Sequence, residues 1–316
     1  MAEYKTKLLI IGSGPAGYTA AIYAARSGLN PFLITGSDEG GQLMLSENVE
    51  NYPGIDHAIS GSELMKIMKN QALNLGVKIY NDKIVEVDFS NRPFECSSEK
   101  HHVFFAKSII IATGASAKWL EISNEEKYRG FGVSVCAVCD GFFYKNKDVA
   151  VIGGGNSAAE EALYLSNFAS TVTLIHRRDS LRADHRLQQK LQENPQISVK
   201  FDCTVEEYIG NDNPPKIEAI KIKNVKSDKE EILKVDGVFV AIGHKPNTEI
   251  FQNQLDLDKF GYIKTAADSC KTDIEGVFAA GDVKSPEFRQ AVIAAGSGAI
   301  AAMEASRWLN GYTQKF

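Results

Sequence analysis

Three things are scarce in this chain of 316 residues, and each scarcity excludes a class of protein. Cysteine occurs five times, at 96, 136, 139, 203 and 270. That is too few, too uneven and odd in number for the disulfide framework of a secreted domain, so the expected compartment is a reducing one. Positive charge is not in excess: 35 basic against 40 acidic residues leave −5, which does not suit a protein that coats a phosphate backbone. Long apolar runs are missing as well. After Met1-Ala2-Glu3-Tyr4-Lys5-Thr6-Lys7 only Leu8-Leu9-Ile10-Ile11 precede a glycine, too short for the apolar region of a signal peptide. The stretch Ala291 to Ala305 is broken by Gly296, Ser297 and Gly298 and falls short of the roughly 20 residues that a span requires. Neither nucleic acid nor a membrane is an expected partner. What remains, 44% hydrophobic and 24% charged, is the composition of an ordinary globular chain. At roughly 150 residues per domain it has room for about two.

The same pattern is written twice. Leu8-Leu9-Ile10-Ile11 leads into Gly12-Ser13-Gly14-Pro15-Ala16-Gly17 and then an alanine-rich helix from Tyr18 to Ser27. Val149-Ala150-Val151-Ile152 leads into Gly153-Gly154-Gly155-Asn156-Ser157-Ala158 and then a helix from Glu160 to Asn167. Strand, glycine turn and helix in that order are what a dinucleotide site requires, because backbone N–H groups at the helix start receive the pyrophosphate and a Cβ would block its approach. A single glycine pattern is weak, whereas two in the right context are not. Each is echoed by a later apolar strand ending in small residues, Ile109 to Gly114 and Val238 to Gly243. The expected fold is α/β with two Rossmann-like nucleotide-binding domains, the second inserted in the first: 1–117 with 246–316, and 118–245. Asn211-Asp212-Asn213-Pro214-Pro215 is expected as a turn between strands.

Near the end of the second strand of such a unit, the residue type reports on the sugar. In the second unit that position, 21 residues after Gly155, is His176-Arg177-Arg178, with Arg182 a turn further on. A basic cluster there pairs with a 2′-phosphate, so NADPH is expected over NADH; the plain alternative is arginines facing water. In the first unit Thr35-Gly36-Ser37 follows the strand, and Asp38 and Glu39 come slightly late for an acidic ribose partner, which leaves that nucleotide open. Gly276 to Asp282 is a strand ending in an acid, which suits a carboxylate binding a polyol such as a flavin ribityl chain, or is simply a strand-to-turn Gly-Asp.

Cys136-Ala137-Val138-Cys139 is the one close pair, with Asp140 next to it. Zinc needs four ligands, and neither a second Cys-x-x-Cys nor a spaced histidine pair is present, so no metal is expected. Redox exchange remains: one thiolate attacks a disulfide and the other resolves the mixed disulfide. Asp140 then supplies a proton handle, unless it only caps the following turn. Cys96, Cys203 and Cys270 are expected to be inert.

These residues together resemble the bacterial-type, low-molecular-weight thioredoxin reductases, in order and over essentially the whole chain. The resemblance is carried by Gly12 to Gly17, Thr35-Gly36-Ser37-Asp38-Glu39-Gly40-Gly41-Gln42, Glu50 to Gly54, Ala112 to Gly114, Cys136 to Asp140, Gly153 to Ser157, His176 to Arg178 with Arg182, and Ala280 to Asp282 through Arg289-Gln290-Ala291. It implies FAD held by Gly12 to Gly17, Thr35 to Gln42, Asn51, Asp282, Val283 and Arg289 to Ala291. NADPH would be held by Gly154, Gly155, Asn156, Ser157, His176, Arg177, Arg178 and Arg182. It further implies a cytoplasmic homodimer that reduces thioredoxin, with Cys139 facing the flavin and Cys136 attacking the partner. Val138 stands where a polar residue such as Thr also occurs in the family. Because the pair and the NADPH site both belong to the second domain and must serve one flavin, two orientations hinged near 115–118 and 243–247 are expected, with Gly114 and Gly243 as pivots. A flavoprotein serving a peroxiredoxin or glutaredoxin-like partner is the nearest rival. With the glycine motif at residue 12, the extra N-terminal redox module of the peroxiredoxin-serving kind is not expected. A non-catalytic NADPH or redox sensor would need neither the second nucleotide site nor the dithiol.

Overall fold

The computed structural model describes residues 2–311. The first segment carries β1 (Glu3–Ile11), α1 (Pro15–Arg26), β2 (Phe32–Ile34), α2 (Gly61–Asn74), β3 (Lys78–Tyr80), β4 (Ile84–Asp88), β5 (Phe94–Ser98), β6 (Val103–Ile111) and β7 (Ala115–Ala117). The middle carries α3 (Glu125–Tyr128), β8 (Val133–Ser134), α4 (Ala137–Asp140), β9 (Asp148–Gly153), α5 (Asn156–Leu165), β10 (Thr171–Ile175), α6 (His185–Glu193), β11 (Ile197–Lys200), β12 (Cys203–Asp212), β13 (Pro215–Asn224), β14 (Glu230–Lys234) and β15 (Gly237–Ala241). The chain returns through β16 (His244–Pro246), β17 (Val277–Ala279) and α7 (Ala291–Leu309). Residues up to 116 together with those from 245 onward form one compact unit, and residues 117–244 form another.

In the first unit, seven strands make one sheet in the order β3-β2-β1-β6-β5-β4, with β17 also pairing β6. β1 runs parallel to β2 and β6, whereas β4 and β5 form an antiparallel hairpin on the far side of β6. Successive strand residues point to opposite faces. Leu8 and Ile10 therefore join Leu33, Ile110 and Phe278 under α1, α2 and α7, while Leu9 and Ile11 join Ile109, Val277, Phe94 and Phe251 on the other face. Burial on both faces explains the unbroken apolar run at the end of β1, and each such side chain contributes about 1.5–3 kcal/mol. The strand also starts earlier than the apolar run. Glu3 to Lys7 alternate between exposed and half-buried, and their backbone pairs with the start of β6.

The second unit has a five-stranded parallel sheet, β11-β10-β9-β15-β8, and a three-stranded antiparallel one, β12-β13-β14. Val149, Val151, Leu174 and Phe239 pack under α5 and α6. Ala150, Ile152, Val238 and Val240 pack against Val205, Tyr208, Ile217 and Ile220 of the antiparallel layer. The proline-bearing segment after Asn211 is the tight link between β12 and β13. α5 begins at Asn156, ahead of the Glu160 expected from sequence. Asparagine usually competes with a helix by bonding its own backbone. Here its amide is taken by Asp184, donating to the carboxylate at 2.7 Å and accepting from the Asp184 N–H at 2.8 Å.

Candidate active site

The first glycine turn is built by close packing. A Cβ on Gly12 would sit 2.2 Å from the Ala112 carbonyl oxygen, and one on Gly17 would sit 2.0 Å from the Gly12 carbonyl oxygen, so neither position admits a side chain. Gly14, by contrast, faces open space, and Pro15 begins α1 where a missing N–H matters least. The start of α1 is thereby left clear for an anion, with its free N–H groups and the positive end of its dipole exposed. Ser13 ties in the following loop: its hydroxyl donates to the Thr35 carbonyl at 2.8 Å and accepts from the Gly40 N–H at 3.0 Å. Gly41 comes to lie beside Gly14.

Within that loop Ser37, Asp38 and Gln42 are exposed, but Glu39 is engaged. It accepts from the buried Tyr18 hydroxyl at 2.8 Å and pairs with Lys69 of α2 at 2.6 Å. Tyr18 and Lys69 carry no sequence motif, and only the fold reveals this clasp. On the far side of α1, Gly281 abuts Ala16, and Gly298 of α7 lies against the Ala16 backbone. Asp282 and the buried Val283 are thus brought to the first glycine turn. Burial pushes the Asp282 carboxyl up to about 6 despite the nearby Arg289. Asn51 donates to Gln290 at 3.3 Å, and Ala291 opens α7. The residues expected at a flavin site from Gly12 to Ala291 therefore gather within one unit.

The second glycine turn carries a different device. A Cβ on Gly154 would strike the His176 ring at 2.2 Å, while Gly155 faces open space. His176 is buried, bonded to backbone at Gly153 and Ser180, and its Nε2 has no partner among the described residues. Burial holds the imidazole below its ordinary range, and Arg182 and Arg178 act in the same direction, so it is neutral at pH 7. The Arg182 N–H donates to the Gly154 carbonyl at 2.7 Å, which brings a third cation beside exposed Arg177 and Arg178. Asn156 and Ser157 start α5 at the same edge. The arrangement fits a dinucleotide with an added phosphate: open space at the helix start and exposed guanidinium groups at the strand end.

Cys136 and Cys139 are bonded to each other across one turn, with Cα atoms 5.3 Å apart. Ala137 buries into the core under α5, leaving Val138 exposed. The Cys139 N–H lies 3.2 Å from the Cys136 sulfur, a donor ready for a thiolate. Asp140 closes α4, and burial pushes its carboxyl above the usual range while the Ser134 hydroxyl opposes the shift. Tyr144 follows, its phenol pushed up to about 12 by burial and by Asp140 and Asp236. Cys96 and Cys270 are buried thiols, raised by burial, Cys270 to about 11. Among the described residues no group of histidines, cysteines and acids is placed to hold a metal, and no helix is long and apolar enough to cross a membrane.

Two nucleotide-type turns and a disulfide closed across a Cys-x-x-Cys turn define a class of enzyme, and comparison with known proteins gives the same class. The chain matches the model of the pyridine nucleotide-disulphide oxidoreductase family over residues 6–298. It is 55% identical to a thioredoxin reductase of Rickettsia bellii, over 96% of this chain and 98% of that one. It is 49% identical to a thioredoxin reductase of Escherichia coli O157:H7, over 97% of each. The crystal structure of thioredoxin reductase from Streptococcus pyogenes is similar with a TM-score of 0.92 at 40% identity, covering 97% of this chain and 99% of that one. The chain belongs to the pyridine nucleotide-disulphide oxidoreductases and, within them, to the thioredoxin reductase family.

Proposed function

We propose that the protein reduces oxidised thioredoxin with electrons from NADPH, using FAD on the first unit and the Cys136–Cys139 disulfide on the second. The observation that carries this reading is a disulfide with an adjacent buried acid, held by the same unit that sets exposed arginines beside a clear glycine turn. The chemistry a bound FAD supplies is acceptance of a hydride from NADPH and delivery of the electron pair to a disulfide. Gly12 to Gly17 would receive the pyrophosphate of FAD, and the loop from Thr35 to Gln42 with Asn51, Asp282, Val283 and Arg289 to Ala291 would complete that site. Gly154 to Ser157 would receive the pyrophosphate of NADPH, and Arg177, Arg178 and Arg182 would pair with its 2′-phosphate. Once the disulfide is reduced, Cys136 attacks the thioredoxin disulfide as a thiolate. Cys139 then resolves the mixed disulfide and releases reduced thioredoxin, while Asp140 gives up and regains a proton beside the pair.

In this reading the protein is a cytoplasmic homodimer. Three cysteines kept as thiols support the reducing compartment. Exposed Ile293, Ile300 and Met303, at helical spacing on α7, are candidate contacts for a second copy. Gly114 and Gly243, both with left-handed backbone, are the proposed pivots between the two units.

The relay is tested anaerobically by adding NADPH to purified protein and then oxidised thioredoxin. NADPH is expected to bleach the flavin absorbance and thioredoxin to restore it; bleaching with no restoration by thioredoxin would assign the electrons to another acceptor. Asp282 offers an independent check. An acid raised in the folded state holds a proton that the unfolded chain releases, so its contribution to stability falls as pH rises from about 4 to about 6. In flavin-free protein, Asp282→Asn is expected to remove that slope and raise the thermal midpoint at pH 7.5 more than at pH 4.5. Equal changes at both pH values would contradict the burial of a charged carboxylate there.

A further inference from the structure

Ser134 has no part in the sequence motifs, yet it stands at the centre of the disulfide turn. It lies on β8, a strand of two residues whose backbone is fixed to the sheet by the pairing of Ser134 with Phe239. Its side chain is buried. The hydroxyl donates to Asp140 Oδ2 at 2.5 Å and accepts from the Cys136 N–H at 3.1 Å. One oxygen thus joins the carboxyl of the acid to the backbone of the first cysteine, across the loop that contains the pair.

We infer that Ser134 is a positioning residue for the dithiol–disulfide step, holding the Asp140 carboxyl in fixed register with Cys136 and Cys139. The inference rests on the reading of Asp140 as the proton donor and acceptor for the pair. An aspartate at the end of a four-residue helix has two side-chain torsions to fix, and no ion pair among the described residues fixes them. The serine does so from a strand that the sheet already holds rigid, and its single proton, pointed at Oδ2, favours the charged carboxylate against the burial that disfavours it. Other groups near this carboxyl include the two cysteines and Tyr144, whose phenol also feels Asp236 and whose ring centroid lies 5.4 Å from a cation, Lys147 Nζ. Among the described residues the Ser134 hydroxyl is the side-chain group that acts on this carboxyl. Because the same oxygen accepts from Cys136, a shift of the cysteine backbone on opening the disulfide is transmitted to the carboxyl.

The test uses the flavin-loaded protein and four variants: Ser134→Ala, Ser134→Thr, Asp140→Asn and the double variant Ser134→Ala/Asp140→Asn. Two quantities are read. One is the pH profile of thioredoxin reduction; the other, independent of turnover, is the titration midpoint of the [13C]carboxyl resonance that Asp140→Asn deletes. Loss of a hydrogen bond to the ionised form, about 1.5–3 kcal/mol, corresponds to an upward shift of roughly 1–2 pH units. Ser134→Ala is expected to move both the resonance midpoint and the matching limb of the profile upward by that amount and to lower turnover. Ser134→Thr, which keeps the hydroxyl, is expected to restore both, and the double variant is expected to behave as Asp140→Asn alone. A uniform loss of rate or stability in Ser134→Ala, with neither midpoint moved, would overturn the inference while leaving Asp140 in its role. Undiminished turnover in Asp140→Asn would overturn the reading of Asp140 itself, so the two failures are told apart.

Discussion

Cys136→Ser is expected to lower thioredoxin-linked turnover on the order of 10⁴-fold or more, with flavin reduction by NADPH retained, because the variant loses the nucleophile and keeps both nucleotide turns. The hydroxyl of serine does not ionise in the working range and does not exchange with a disulfide. Cys139→Ser is expected to be equally inactive in turnover but different in outcome. It retains the attacking sulfur and lacks the resolving one, so it is incubated with a thioredoxin variant that keeps only its attacked cysteine, activated as a mixed disulfide with thionitrobenzoate. This should release thionitrobenzoate and leave a covalent enzyme–thioredoxin disulfide that no remaining thiol reverses, visible on non-reducing gels and cleared by dithiothreitol. Cys136→Ser should leave none. The reverse pattern would exchange the roles of the two sulfurs, and a mixed disulfide in neither variant would remove thioredoxin as the partner. Cys96 and Cys270 do not confuse the experiment, since both are buried and remain protonated.

The second large effect concerns the choice of nicotinamide cofactor. Arg177 and Arg178 are exposed and follow the buried His176, while the Arg182 N–H is bonded to the Gly154 carbonyl of the glycine turn. Charge-assisted hydrogen bonds contribute about 1.5–3 kcal/mol each, roughly 10- to 100-fold in affinity, so Arg177→Ala/Arg178→Ala is expected to raise the KM for NADPH at least about 100-fold. The maximal rate should change little, since a phosphate remote from the reacting carbon is held equally in ground and transition states. The KM for NADH, which lacks the phosphate, should stay within about a factor of 3 of the wild-type value at that accuracy. Raising ionic strength should weaken NADPH binding in the wild type and do little in the variant, because exposed charges are screened. Parallel losses for both cofactors would mean that the arginines shape the turn and do not read the phosphate.

Much of the architecture was legible because it follows from local rules. The two apolar runs that lead into the glycine motifs became central parallel strands with a helix start after them, since burial on both faces demands such runs and close backbone approach demands glycine. The disulfide was legible because its two cysteines lie only three positions apart and are chemically unusual. Contributions that depend on distant partners were not. The β4–β5 hairpin and the β12–β14 layer have mixed patterns whose apolar members acquire meaning only from what they cover. The early start of α5 hangs on Asp184, 28 residues away from Asn156. Glu39 has no visible signal for its pairing with Tyr18 and Lys69, and Ser134 is one serine among many until the fold sets Asp140 against it.

The return of the chain to its first unit has a consequence for how the protein comes into being. The second unit is a single continuous stretch and has all its strands once residue 241 has been made. The first is still incomplete at that point: β17 must add to β6, and α7 must bring Gly298 against Ala16, before the floor under the first glycine turn is closed. Domains fold as units while synthesis proceeds at about 5–20 residues per second. On the ribosome, the inserted half is therefore able to mature ahead of the half that surrounds it, and the first glycine turn gains its floor only after the second unit has been made.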